Sequence, residues 1–173
     1  YAGIVAAVGS TVDEFQVGDW VAVEASYGCG RCRNCRLGNY TACLNYGNRQ
    51  RGHRANGFTT NGGFAQYAVN HINTVHKIPD SVEFNEAALI TNLGCILYGF
   101  QTVGGYVVGD TVAVVGPGPL GLVSVGVARA LCAGKIFLVG TRDTRLQMGK
   151  TMGADRLINV NQENPVEVIR RET

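Results

Sequence analysis

Charge is scarce in this 173-residue chain: Asp, Glu, Lys and Arg supply 16% of it, against about 25% in an average globular domain. The formal net charge is only +2. With no block of like charge and no basic stripe, nothing points to a nucleic-acid or lipid-headgroup partner. A membrane-spanning run is lacking as well. Residues 87–109 and 111–128 carry no charge, but Asn92, Gln101 and the Gly104–Gly105 pair interrupt the first, and Gly116-Pro117-Gly118-Pro119 the second. Neither therefore gives the apolar helix of about 20 residues that a bilayer requires. There is no secretory signal pattern and no initiator Met. The opening Tyr1-Ala2-Gly3-Ile4-Val5 reads as a strand, so the chain is expected to be cytoplasmic and an internal fragment of something longer. Internal repeats and low-complexity segments are absent too.

Glycine is what the chain has in excess. It holds 24, where average usage of about 7% would give roughly 12. These glycines follow no Gly-X-Y period, and a hydrophobic fraction of 46% excludes a disordered chain. A globular protein remains, one whose backbone must turn tightly or come close to something.

Along the chain the patterning changes once. Ile4 to Val8 and Trp20 to Val23 are apolar, β-branched and punctuated by turn residues, which predicts short strands; Phe64 to Val69 predicts another. Residues 24–62 lose that pattern and form a long loop, unusual in a compact domain unless something pins it. From Phe84 to Val103 the sequence reads as helix, apolar on more than one face and hence buried. Then follow strand Thr111–Val115, helix Leu120–Leu131, strand Lys135–Val139, helix Asp143–Met152, strand Arg156–Val160 and a helix opening at Pro165. Strands alternating with helices in this way predict βαβ crossovers and a parallel sheet. The expected division is residues 1–82 and 83–173.

Four of the six cysteines, Cys29, Cys32, Cys35 and Cys43, have the spacing C-x2-C-x2-C-x7-C. Four thiolates in one short loop satisfy tetrahedral zinc with no open coordination position, so such a site is structural. Its binding energy, on the order of 10–16 kcal/mol in small modules, exceeds what the loop's few apolar side chains offer. Two disulfides, unrelated thiols or an iron–sulfur cluster are the alternatives, and a reducing compartment disfavours disulfides. Cys95 and Cys132 lie in apolar helical surroundings and are expected to be buried.

The run Val115-Gly116-Pro117-Gly118-Pro119-Leu120-Gly121 is G-x-G-x-x-G between a strand and a helix, where a dinucleotide-binding unit needs it. Gly116 allows the tight turn, Gly118 lets the backbone approach a pyrophosphate, and Gly121 lets helix and strand pack closely. Pro119 and Leu120 open a helix whose N-terminus faces the phosphate charge. At the end of the next strand an acidic residue is expected for an NAD ribose. This chain instead has Gly140-Thr141-Arg142, with Asp143 beyond the expected place. A glycine makes room, a hydroxyl donates and a guanidinium pairs with phosphate, which favours NADP over NAD.

The two motifs in this order resemble the zinc-dependent medium-chain alcohol and polyol dehydrogenases, closest to the sorbitol- and threonine-dehydrogenase-like branches. Ala2-Gly3-Ile4-Val5, Gly18-Asp19-Trp20-Val21, Gly62 to Tyr67, Gly109 to Leu122 and Gly153-Ala154-Asp155 are similar to that family's landmarks. The resemblance implies an α/β architecture: part of a GroES-like β-barrel domain with a structural-zinc lobe, then the first half of a Rossmann domain. It also implies hydride transfer between NADP or NAD and a small-molecule alcohol or carbonyl, a homo-oligomer, and a catalytic zinc in the full-length parent. Of that zinc's ligands, the only position within this chain aligns with Thr91, a poor zinc ligand; Cys95, one turn later, is a weak substitute. His53, His71 and His76 are expected at the surface or hydrogen-bonded, with His53 alone near a cleft. No catalytic residue is assigned. A reductase of the same fold without catalytic zinc, and a non-catalytic cofactor-binding fragment, remain open.

Overall fold

The computed structural model describes residues 1–103, 105 and 108–173; Gly104 of the Gly104–Gly105 pair lies outside them. The chain divides into two compact units, Tyr1–Thr91 and Asn92–Thr173. The Phe84 ring packs on Trp20, with centroids 4.2 Å apart. That contact ties the first helical turn after residue 82 to the first unit.

The first unit contains, in chain order, β1 (Ala2–Ile4), β2 (Trp20–Val23), β3 (Ser26–Tyr27), α1 (Arg33–Arg36), β4 (Arg54–Ala55), β5 (Val75–Lys77) and α2 (Phe84–Ala87). Strands β1, β2 and β5 form an antiparallel sheet with β2 central, so that Ala22 stands opposite Ala2 on one side and His76 on the other. Val21, Ala22 and Val23 are buried there. Strands β3 and β4 pair separately, Ser26 opposite Ala55. Two expectations fail. The strand expected over residues 4–8 ends at Ile4, its pairing closing at Val5, whose N–H donates to Asp19 O and whose carbonyl accepts from Gly18 N–H, each at 2.9 Å. Residues 64–69 form no strand. Alternating apolar residues become a strand only beside a partner edge, and among the described residues none pairs with them; Phe64, Tyr67 and Val69 stand exposed.

Helix α3 (Ile90–Thr102) buries none of its residues, contrary to the expected burial of this stretch. Apolarity records what a helix is able to bury, and Leu93, Leu97 and Tyr98 remain exposed. Cys95 is exposed with them.

The second unit then runs β6 (Thr111–Val115), α4 (Pro119–Ala130), β7 (Lys135–Gly140), α5 (Asp143–Thr151), β8 (Arg156–Asn159) and α6 (Pro165–Glu172). Strands β6, β7 and β8 form the expected parallel sheet in that order. Central β7 is buried on both faces, as parallel strands are. Ile136 and Leu138 pack with Val125, Ala128 and Leu146 on one face, and Phe137 and Val139 with Ile158 and Val168 on the other. Asn164 caps α6 by accepting from Val166 N–H at 3.0 Å, ahead of Pro165 at the first helical position. Cys132 is exposed rather than buried. It ends α4 in the left-handed conformation, φ +61°, with Ala133 N–H returning to Ala128 O at 3.0 Å. That Schellman geometry turns the side chain at this position away from the helix.

Candidate metal centre and cofactor turn

After β3 the chain enters a loop whose order rests on polar contacts. Helix α1 begins at Cys32, whose sulfur accepts the Cys35 N–H at 3.5 Å as an N-cap. Single 3₁₀ turns at Tyr40–Ala42 and Arg49–Arg51 follow. These turns gather the four expected sulfurs, all within 4.8 Å of one another. Cys29 Sγ lies 3.9 Å from Cys35 Sγ, and Cys32 Sγ 4.0 Å from Cys43 Sγ. A tetrahedron with metal–sulfur bonds of about 2.3 Å has edges of about 3.8 Å, whereas a disulfide bond is only about 2.05 Å long. All six cysteines are free thiols. The donor set and its spacing therefore fit a closed tetrathiolate zinc site.

N–H groups are aimed at these sulfurs. Cys29 N–H meets Cys43 Sγ at 3.5 Å, Cys32 N–H meets Cys29 Sγ at 3.4 Å, and Asn45 N–H meets Cys43 Sγ at 3.4 Å. Asn45 Nδ2 donates to Cys29 Sγ at 3.2 Å. This side-chain donation, helped by backbone N–H groups, holds the Cys29 thiol down at about 5. Backbone donation from Cys35 lowers Cys32. Burial pushes Cys35 up to about 12, with neighbouring cysteines adding to the rise. Some thiolates are thus favoured and another opposed, and a divalent cation is what lets all four coexist.

Two contributors escape motif reading. Gly28 makes room for a ligand: a Cβ there would lie 2.5 Å from Cys35 Sγ. Asn45 bonds two of the sulfurs. Its only trace in the sequence is an amide two residues after Cys43.

The histidines stay apart from the cluster. His53 is buried inside the lobe rather than at a cleft, its Nδ1 accepting Gly47 N–H at 3.1 Å and its ring 4.4 Å from Tyr46. His71 stacks on Tyr27 at 4.1 Å, and His76 Nε2 lies 3.6 Å from Glu24. Among the described residues no second group of three His, Cys, Asp or Glu ligand atoms converges. Thr91 is exposed at the start of α3 and offers only a neutral hydroxyl. A catalytic zinc therefore finds no fit among these residues.

At the carboxyl end of β6, Gly116 adopts φ +99° and its N–H bonds Val139 O at 2.8 Å. The backbone then reverses so closely that a Cβ on Gly121 would lie 1.9 Å from Gly116 O. The third glycine is thus required by backbone contact alone. Gly118 is the N-cap of α4 and Pro119 its first residue. The first bond of α4 is Leu122 N–H to Gly118 O, at 2.9 Å. This leaves the N–H groups of Leu120 and Gly121 without an intrahelical acceptor. Because Val115 stands opposite Val139 in the parallel register, β7 delivers Gly140, Thr141 and Arg142 to the same edge. Gly140 admits Pro117: a Cβ would meet the proline ring at 2.5 Å. Thr141 and Arg142 are exposed. Asp143 accepts from Asn159 Nδ2 at 2.7 Å, so its carboxylate is already engaged.

Residues 1–80 match the alcohol dehydrogenase GroES-like domain family. The sorbitol dehydrogenase of Bacillus subtilis (strain 168) is 37% identical over 175 residues, covering 99% of this chain. An L-threonine 3-dehydrogenase of Deinococcus deserti is 35% identical over 172 residues, again 99% of the chain. Residues 1–80 thus carry the alcohol dehydrogenase GroES-like domain, and nearly the whole chain is similar to sorbitol and threonine dehydrogenases. It spans 47% of the length of each of those two relatives. A solved structure from Sinorhizobium meliloti 1021, described as that of a zinc-binding dehydrogenase bound to NADP, superposes with a TM-score of 0.86. That structure is 30% identical, with coverage of 96% of this chain and 46% of the other. The dehydrogenase fold is therefore the expected one, a GroES-like domain with its cysteine lobe followed by half of a Rossmann domain. No helix among the described residues is long and apolar enough to cross a membrane.

Proposed function

We propose that this chain forms the zinc-lobe and adenosine-side half of an NAD(P)-dependent dehydrogenase acting on small alcohols or polyols. The observation that carries the reading is the meeting of two turns, 116–121 and 140–142, at the carboxyl edge of paired β6 and β7. In open parallel sheets, ligands bind outside that edge. The free N–H groups of Leu120 and Gly121, with Gly116, Gly118 and Pro119 shaping the approach, receive the pyrophosphate at the start of α4. Thr141 and Arg142 meet the adenosine ribose, with Gly140 seating Pro117 beneath them. With Asp143 held by Asn159 and Arg142 exposed, the guanidinium is the group available to that ribose, which favours a 2′-phosphate and hence NADP. The bound nicotinamide supplies the acceptor for a hydride leaving the alcohol carbon. Cys29, Cys32, Cys35 and Cys43 hold a structural zinc, which takes no part in that step because its four positions are filled. Cysteines outside any disulfide suit a reducing, cytoplasmic setting, and assembly as a homo-oligomer belongs to the same reading.

Calorimetric titration of the intact protein and of Arg142→Ala with NADP and NAD tests it. The expected result is a large loss of NADP affinity and little change for NAD. Equal losses would remove the 2′-phosphate reading, and no binding of either cofactor would remove the nucleotide site. Thr91 favours a second reading, a reductase of the same fold without catalytic zinc. Metal content of the intact enzyme separates the two, since that reductase holds one zinc per chain and a catalytic-zinc enzyme two.

A further inference from the structure

Among the described residues, Asn45 is the one side chain outside the cysteines that bonds a sulfur of the cluster. It reaches two of them. Its main-chain N–H lies 3.4 Å from Cys43 Sγ and its Nδ2 3.2 Å from Cys29 Sγ, so one residue joins the first ligand in the chain to the last. The amide's orientation is set from behind. Arg51 Nη1 donates to Asn45 Oδ1 at 3.1 Å, and a guanidinium, having donors only, must face the oxygen. The nitrogen is thereby turned to the sulfur. Arg51 is itself delivered by the 3₁₀ turn Arg49–Arg51, whose start Asn48 caps by accepting the Arg51 N–H at 3.1 Å.

This arrangement lies on the accessible side of the cluster. Arg31, Cys32, Arg33, Leu44, Asn45 and Arg51 line an open hollow there. Of the four ligands, Cys32 borders that hollow. Four thiolates around a divalent ion leave two negative charges in excess, and donated N–H groups and nearby guanidinium groups spread that excess. A sulfur deprived of its donor keeps more of that excess charge, and repulsion among the four ligands then loosens their hold on the metal.

We propose that Asn45, oriented by Arg51, is a positioning residue that sets how firmly the lobe holds zinc and how fast it releases it. The proposal rests on the reading of the four cysteines as a zinc site. The polar partners of metal ligands commonly account for roughly 10–100-fold in metal affinity, and Asn45 contacts two ligands at once.

The test uses the intact protein loaded with zinc, and separately with cobalt(II), in wild type, Asn45→Ala, Asn45→Asp and Arg51→Ala. Asparagine and aspartate match in size and both accept from Arg51, but the carboxylate has no N–H to give. Transfer of zinc to a coloured chelator is expected to be roughly 10–100-fold faster in Asn45→Ala and Asn45→Asp, and faster by a smaller factor in Arg51→Ala. In the cobalt form of Asn45→Asp, the sulfur-to-metal charge-transfer band is expected at longer wavelength, because an undonated thiolate gives up an electron more easily. Release in Asn45→Asp within about twofold of wild type would overturn the proposal. Faster release with an unmoved band would overturn it too, reducing Asn45 to a packing residue. If Asn45→Ala does not fold, Asn45→Asp decides alone. A wild-type protein that takes up neither metal would instead sink the zinc reading itself, so the two failures are distinct.

Discussion

Residues 24–62 and residues 111–160 differ in what they bury. In the first stretch Leu37, Leu44, Tyr46 and Phe58 are exposed, while Cys43, His53, Ala55 and Asn56 lie inside. In the second, β7 alone buries Ile136, Phe137, Leu138 and Val139 in succession. One region is built around sulfur atoms and N–H donors, the other around removal of apolar surface from water. A short loop rich in turn residues has too little apolar area to offset its own conformational entropy, so four thiols and a metal replace the core. The parallel sheet needs no such device, because both faces of its central strand are covered.

The largest effect should come from removing a thiol. Cys35→Ser is expected to abolish zinc binding, worth on the order of 10–16 kcal/mol in small zinc modules, and to open the lobe without opening the sheet. Elemental analysis with limited proteolysis checks it, with new cuts expected between Cys29 and Arg54 and none between Lys135 and Asn159. Cuts in both would break the comparison. The converse substitution is Leu138→Ala, in a fully buried side chain. It should cost about 2–5 kcal/mol in denaturant unfolding of the second unit and leave the zinc content unchanged.

What the sequence disclosed divides along the same line. The second unit was legible almost element by element, because strands such as Thr111–Val115 and Lys135–Gly140 are apolar, β-branched runs, glycine turns separate them from the helices, and Pro165 marks a helix start. The grouping of the four cysteines was legible from their spacing, since tetrahedral coordination limits how thiols can be arranged along a loop. The misses have a common physical origin: periodicity states what a segment is able to bury, not what lies next to it. Phe64 to Val69 has strand composition and no partner edge among the described residues; α3 has an apolar surface and no buried residue. Cys132 was misjudged because a left-handed helix stop is usually marked by glycine. Asn45 and Gly28 were invisible because their roles are contacts with sulfur, and neither belongs to the cysteine spacing.

A smaller effect sharpens the role of the sheet edge. Arg142→Ala should weaken NADP by about 1.5–3 kcal/mol, the range for a hydrogen bond to a charged group. It should leave NAD binding, zinc content and unfolding midpoint close to wild type. Loss of stability together with NADP affinity would make Arg142 a structural residue.

The smallest effect concerns the sheet's far end. Lys135, and after it Arg156, hold the Glu172 carboxyl below its ordinary value. A carboxylate whose folded pKa is depressed stabilises the fold above its unfolded pKa of about 4.3, and that contribution fades as pH falls through the folded value. Glu172→Gln should therefore be slightly less stable than wild type at pH 7, with the difference vanishing near pH 3 and shrinking in high salt. Zinc content should not respond. A gap between the two proteins that persists at pH 3 would assign the effect to packing.

The contrast between the two regions is tested most directly by amide hydrogen exchange of the intact protein before and after zinc is removed with a strong chelator. The amides of residues 28–54 should lose their protection on chelation, while those of Lys135–Gly140 and Arg156–Asn159 keep theirs. Retained protection in the lobe, or simultaneous loss in the lobe and the sheet, would contradict the view that one region is held by metal and the other by its apolar core.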